Sequence, residues 1–249
     1  MSRTPFRLQR FVINDDQCGM KIGTDGVLLG AWSDVEGTSR ILDLGTGCGL
    51  IALMLAQRTE KRDVTIDAID RDKSATIQAS QNVANSPWPN RITVKHVSIQ
   101  DYAAQDLSAR YDLCVCNPPF FTNCSPSQDA GKRLARHADH LNRADLFDSV
   151  KDILSPSGRF CLVLPFDQLE TTLPLATDKG FFLSRETSVR PFPDAEIKRV
   201  LLEFVLNEVE TSRSEFAIET TRHVFSPTYE SLTREFHLRF SETAGSQDP

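Results

Sequence analysis

"RILDLGTGCGLIALMLAQR" (residues 40–58) contains an apolar run, three glycines at alternate positions and a second, longer apolar run. The first run, "RILDLG", is short and rich in branched aliphatics, as in a buried strand. The second, "LIALMLAQR", is apolar on almost every side, as in a buried helix. Asp43 stands at the strand end, and Gly45, Gly47 and Gly49 make the turn before the helix begins at Leu50. Glycines there let a backbone come close to a ligand and set it near a helix N-terminus. The spacing is Gly-x-Gly-x-Gly. It differs from the Gly-x-Gly-x-x-Gly of dinucleotide sites, and no Gly-Lys-Ser/Thr follows to hold a triphosphate.

The same alternation continues along the chain. "VTIDAID", "ITVKHV", "YDLCVCN" and "RFCLVLP" read as strands, and "KSATIQASQNVANS", "NRADLFDSVKDILSPSG" and "FDQLETTLPLATDKG" as helices. Asn142 is expected to start the second of these helices and Pro156 to stop it, and Pro174 to interrupt the third. "FFLSRETSV" and "KRVLLEFVLN" close the series as an antiparallel pair. Strand and helix in regular alternation predict an α/β fold, a parallel sheet with helices on both faces. Ahead of it, "MKIGTDGVLLGAW" (20–32) predicts a short helix capped by Thr24, with Val27, Leu28, Ala31 and Trp32 on its apolar side. This gives a cover segment over residues 1–38, a main domain over 39–240 and a disordered tail over 241–249.

With 249 residues and 40% hydrophobic side chains, the chain is long enough to bury a full core. No run approaches the roughly 20 apolar residues of a membrane span, and the N-terminus has no secretory h-region, so a cytoplasmic location is expected. Six cysteines show no zinc spacing and are read as reduced, packed thiols; no metal is expected. The net charge of −6 excludes a protein that coats nucleic acid through its overall field. Two basic stretches remain: Arg3, Arg7 and Arg10 near the start, and Lys132, Arg133, Arg136 and Arg143 further on. They are read either as solvated surface or as phosphate contacts.

Two further features bear on chemistry. Asp70 ends the second strand about 20 residues past the glycine loop, where a carboxylate accepts ribose hydroxyls. A nucleoside with carboxylates beside it and no triphosphate motif suits a cationic cofactor, and S-adenosylmethionine carries both a sulfonium and an ammonium. The second feature is "CNPPFFTN" (116–123), where two prolines end a strand and make a stiff elbow holding one amide beside aromatic rings.

The glycine loop, Asp70 and Asn-Pro-Pro-Phe together resemble a class I S-adenosylmethionine-dependent methyltransferase. More narrowly, "MKIGTDGVLLGAW", "LIALMLAQR", "SPW" (86–88) and "YESLTREFHLRF" (229–240) resemble the bacterial tRNA adenine-N6 methyltransferase family, from Phe11 to Phe240. That resemblance implies a Rossmann-like, mostly parallel seven-stranded sheet with an antiparallel last strand. It also implies methylation of the adenine 3′ of the anticodon in a valine tRNA. The implied cofactor contacts are Thr24, Asp43, Gly45, Gly47, Gly49, Asp70, Ser98 and Asn117. The sequence departs from the family at Phe120, where Tyr is common, and at Ser98, where an acid is expected and Asp101 follows three residues on.

The elbow suits amino-group chemistry. An exocyclic amine delocalises its lone pair into the ring, and two acceptors on its N–H bonds can localise it. Asn117 and the Pro118 carbonyl supply those acceptors, and Phe120 stacks on the base. An anticodon loop is single-stranded, so extruding its base costs less than opening a duplex. Arg7, Arg10, Lys132, Arg133 and Arg136 are then the candidate phosphate contacts of a monomer acting on tRNA. Asn-Pro-Pro-Phe also occurs among ribosomal guanine-N2 methyltransferases. That target, a glutamine side chain and a non-catalytic RNA-binding module stand as alternatives.

Overall fold

The computed structural model describes residues 4–105, 110–118 and 142–240. Its centre is one eight-stranded sheet. Strands β3 (Arg40–Leu44), β4 (Thr65–Asp70), β5 (Ile92–His96), β6 (Tyr111–Cys116) and β7 (Leu154–Pro165) run parallel to one another. β9 (Arg199–Val205) runs antiparallel to β7 and to β8 (Phe182–Arg190), as the closing apolar pair predicted. The order across the sheet ends with β10 (Ser212–Ala217), then runs β8, β9, β7, β6, β3, β4, β5. β10 is an addition to the seven strands expected. It is polar and largely exposed, an edge strand with no apolar run to give it away.

Helices pack on both faces. α1 (Thr24–Trp32), α2 (Leu50–Arg58) and α3 (Lys73–Ala84) precede α4 (Ile99–Ala103), α5 (Arg143–Ile153), α6 (Leu169–Asp178) and α7 (Pro227–Thr233). α2 is buried from Leu50 through Gln57, as its unbroken apolar run requires. The cap of α1 differs from expectation: Thr24 is already helical, and the extended residue before it is Gly23, which offers no side chain to the free N–H groups. Asn142 does cap α5, accepting the Ala144 N–H at 3.0 Å. That helix ends at Ile153, short of Pro156, because the chain from Leu154 onward pairs with β6 through a bulge. Pro174 lies inside α6, which runs through it unbroken.

A hairpin of β1 (Phe6–Arg7) and β2 (Val12–Ile13) leads into the cover segment. Leu8, Phe11, Ile13 and Cys18 share one core with α1, α2 and the sheet. No helix of the described residues is long and apolar enough to cross a membrane. At the β7 bulge the backbone comes so close that a Cβ on Gly158 would lie 2.8 Å from the Tyr111 carbonyl and 2.7 Å from Leu154 Cγ. Gly158→Ala is therefore expected to cost about 1–3 kcal/mol of unfolding free energy, read as a lowered urea midpoint. An unchanged midpoint would contradict this account of the bulge.

Candidate methyl-transfer site

The sheet has one switch point. From β3 the chain moves outward through β4 and β5, then returns to the other side of β3 with β6. Ligands in open α/β sheets bind beyond the strand ends at such a crevice. Leu44 and Cys116 are the last register partners of β3 and β6, so the glycine loop and Asn117 leave two adjacent strands at the same level of the sheet.

Gly45, Gly47 and Gly49 adopt φ of 68°, 55° and 85°, the left-handed region that disfavours other residues. The Gly45 and Thr46 N–H groups both donate to the Ile69 carbonyl, and the Gly47 N–H donates to Asp70 Oδ2 at 2.9 Å. Asp70 Oδ1 accepts the Asp72 N–H at 2.8 Å, while Asp72 caps α3. The two acids thus divide their tasks, and Asp70 is the one beside the loop. A Cβ built on Gly45 or Gly47 would meet nothing within 4 Å, which leaves open space over the loop.

Asp43 is fully buried. Its Oδ2 accepts from Thr46 Oγ1 at 2.6 Å and from the Ala52 N–H at 3.1 Å, and its Oδ1 has no partner. Burial pushes the carboxyl up to about 7; the two hydrogen bonds oppose that shift, and the charge of Asp70 adds to it. An orphaned carboxylate oxygen beneath an open glycine loop fits a cationic ligand.

Asn117 is partly buried, and among the described residues its carboxamide makes no hydrogen bond. Pro118 behind it is buried. Gly26 of α1 backs the amide: a Cβ there would lie 3.0 Å from Leu50 Cδ2 and 3.8 Å from Asn117 Nδ2. The neighbouring Asp25 holds Arg199 Nε through both oxygens, at 3.0 and 2.8 Å, which pins the start of α1 to the start of β9. Thr24 precedes this pair and is exposed. The Thr-Asp-Gly motif signalled the segment, but Arg199 carried no signal, lying 174 residues away.

Ser98 follows β5 as the cap of α4. Its hydroxyl donates to Asp101 Oδ2 at 2.7 Å and accepts the Asp101 N–H at 3.1 Å, so these two residues engage each other. Cys18 of the cover segment and Cys48 of the loop lie in one buried core cluster, and Asn82 of α3 donates to the Cys48 carbonyl at 2.8 Å. Cys116 is buried, and its thiol is raised by desolvation, unsuited to attack.

The structure does not bring every candidate to this place. Arg10 pairs with Glu60 at 2.7 Å and lies over Trp88, beyond the C-terminal end of α2. That is the end remote from the glycine loop. Arg7 is exposed on the same hairpin. Phe120, Lys132, Arg133 and Arg136 lie outside the described residues, as do the tail 241–249 and Arg3.

The family model of the methyltransferase small domain matches residues 22–165. A protein of Trichodesmium erythraeum named tRNA1(Val) (adenine(37)-N6)-methyltransferase is 40% identical over 240 residues, 96% of this chain and all of the relative. One of the same name from Parabacteroides distasonis is 42% identical over the same shares. Among solved structures, a predicted O-methyltransferase from Agrobacterium tumefaciens aligns with TM-score 0.66 at 18% identity, over 85% of this chain and 96% of that one. The glycopeptide N-methyltransferase MtfA complexed with S-adenosylmethionine aligns at TM-score 0.52 and 15% identity, over 75% of this chain and all of that one. These structural likenesses concern the fold.

The buried Asp43 gives a pH signature. The unfolded carboxyl titrates near 4. Between about pH 4 and 7 the folded chain holds the extra proton, so its contribution to stability declines as pH rises through that window. In Asp43→Asn this part of the decline, on the order of 4 kcal/mol, should disappear from urea titrations run across the window. An unchanged slope would show that Asp43 is not the group responsible.

Proposed function

The chain belongs to the family of bacterial tRNA1(Val) (adenine(37)-N6)-methyltransferases, built on a methyltransferase small domain, and from that premise we propose how it methylates the N6 amine of an adenine in a tRNA anticodon loop. The observation that carries the assignment to this site is the Asn117 carboxamide at the switch point, which makes no hydrogen bond among the described residues and follows the strand beside the one that leads into the open glycine loop.

S-adenosylmethionine, when bound, supplies an electrophilic methyl group on a sulfonium. Gly45 and Gly47 leave it room, Gly49 completes the turn into α2 against Ala79, and Asp70 has lone pairs to spare for a ribose. Asp43 offers an unpartnered oxygen to positive charge. Thr24, Ser98 and the Asn117 backbone complete the proposed contacts, with the cover segment 1–38 closing the site from the α1 side.

The remaining work falls to the elbow. Asn117 Oδ1 and the Pro118 carbonyl accept the two N–H bonds of the target amine, drawing its lone pair out of the ring plane. Phe120 stacks on the base and aligns the amine for in-line attack. Alignment of this kind lowers a barrier by up to roughly 7–11 kcal/mol. No strong base is needed, since the alkylated ammonium is acidic and loses its proton to water. Lys132, Arg133 and Arg136, which follow the elbow in sequence, hold phosphates of the RNA, and Arg7 and Arg10 those of other nucleotides. On the same reading the enzyme is a cytoplasmic monomer that requires no metal.

The assay is incubation with labelled S-adenosylmethionine and bacterial tRNA lacking the modification, followed by nucleoside analysis. N6-methyladenosine is the expected product; N2-methylguanosine would reject the adenine assignment. Asn117→Ala should reduce transfer at least a thousandfold while cofactor affinity, by calorimetry, stays within a few-fold. Full turnover in that variant would remove the amide from the mechanism.

A further inference from the structure

Three phenylalanines stand exposed among the described residues: Phe6 at 40%, Phe166 at 37% and Phe192 at 39%. Phe6 lies on the N-terminal hairpin, but the other two share the sheet edge that carries Asn117. Phe166 directly follows β7, and Phe192 sits in the turn between β8 and β9. The register fixes their relation to the elbow. Cys116 pairs with Leu162, three residues before β7 ends at Pro165, and Phe166 opens the short 3-10 turn beyond that end, about 10 Å further out than the level at which β6 leads into Asn117. Pro165, Arg199 and Val189 are level across β7, β9 and β8, so Phe166, one residue past Pro165, and Phe192, three residues past Val189, emerge from the same edge of the sheet two strands apart.

The backbone carrying each ring is held by hydrogen bonds. The Phe166 N–H donates to the Lys198 carbonyl at 3.2 Å. Phe192 lies between Pro191 and Pro193, its carbonyl accepts from Ala195, and Arg190 braces the turn through the Pro193 and Ala195 carbonyls. Among the described residues, neither ring packs on another aromatic ring. The strip around them carries Asp167, Asp194 and Glu196, and Lys198 is already paired with Glu196 at 2.9 Å. That charge pattern does not favour phosphate, whereas a fixed phenyl face accepts any base by stacking.

We propose that Phe166 and Phe192 form a stacking platform for the nucleotides flanking the target adenine, so that the neighbouring bases settle on rings while the target enters the elbow. The proposal rests on the methylation reading above. It assigns to these residues the task of positioning RNA, with no part in the chemistry.

The test uses a synthetic anticodon stem-loop with 2-aminopurine on either side of the target. Binding to the wild type is expected to quench its fluorescence, and the quenching should be lost in the Phe166→Ala/Phe192→Ala variant. KM for the stem-loop should rise about 5- to 100-fold per ring removed, with cofactor affinity unchanged and the Phe166→Tyr/Phe192→Tyr variant near wild type. Should the alanine variant lose cofactor affinity, abasic neighbours in the RNA deliver the same test on the wild type, with the same rise in KM expected. Unchanged KM and fluorescence, beside a wild type that methylates adenine normally, overturn the platform. A wild type that forms no N6-methyladenosine overturns the functional reading, and the platform with it.

Discussion

The hydrogen bond from the Gly47 N–H to Asp70 is the contact on which the site depends. It joins the loop after β3 to the end of β4, two neighbouring strands whose tips would otherwise be free to part. Three left-handed glycines let the loop turn its N–H groups sideways onto β4, two of them to the Ile69 carbonyl and one to the carboxylate. A side chain at these glycines would add backbone strain even though space is open around two of them. From the other side Asn82 holds the Cys48 carbonyl, and the same amide bonds the Asn14 carbonyl of the cover segment. The loop is thus braced by β4, by α3 and by the N-terminal segment at once. A cofactor meeting it encounters a surface already set, which limits the ordering cost of binding.

Charge follows from the same geometry. Asp43 is out of water and cannot ionise cheaply, while Asp70, two residues beyond the Ala68 that is level with Asp43 on the next strand, makes its ionisation costlier still. Asp25, a further acid of this neighbourhood, is matched by Arg199 and so adds little net field. The crevice therefore holds unbalanced negative character on the cofactor side of Asn117. A neutral base on the far side of the amide is not affected by it.

Much of this was legible in the sequence, for physical reasons that can be traced to particular residues. Buried strands and the all-round apolar α2 declare themselves by composition, and caps such as Asn142 by a short polar side chain before an amphipathic run. Asp70 was found because its distance from the glycine loop is set by one helix and one strand. The failures are equally specific. β10 is an edge strand whose side chains face water, so nothing in "SRSEFA" distinguishes it from loop. The extension of β7 past Pro156 depends on a bulge that only Gly158 permits, and the partner of Asp25 depends on tertiary pairing across most of the chain. Thr24 was misread as a cap because the helix starts one residue earlier, from a glycine that contributes no side chain.

The packing of α1 also restricts how a base can reach Asn117. Seven of its nine residues are buried, Gly26 lies against Leu50 and the Asn117 amide, and Gly30 admits Met54 at a distance no Cβ would allow. At its far end Arg58 of α2 donates to the Gly30 and Ser33 carbonyls, and at its near end Arg199 grips Asp25. A helix fixed at both ends and interdigitated between them is a wall, and opening it would expose a large part of the core. The glycine loop closes the β3 side. Among the described residues, the strand ends of β7 and β9, where Phe166 and Phe192 are exposed, are the part of this edge that neither α1 nor the glycine loop occupies, and on the proposed reading RNA would meet those rings there.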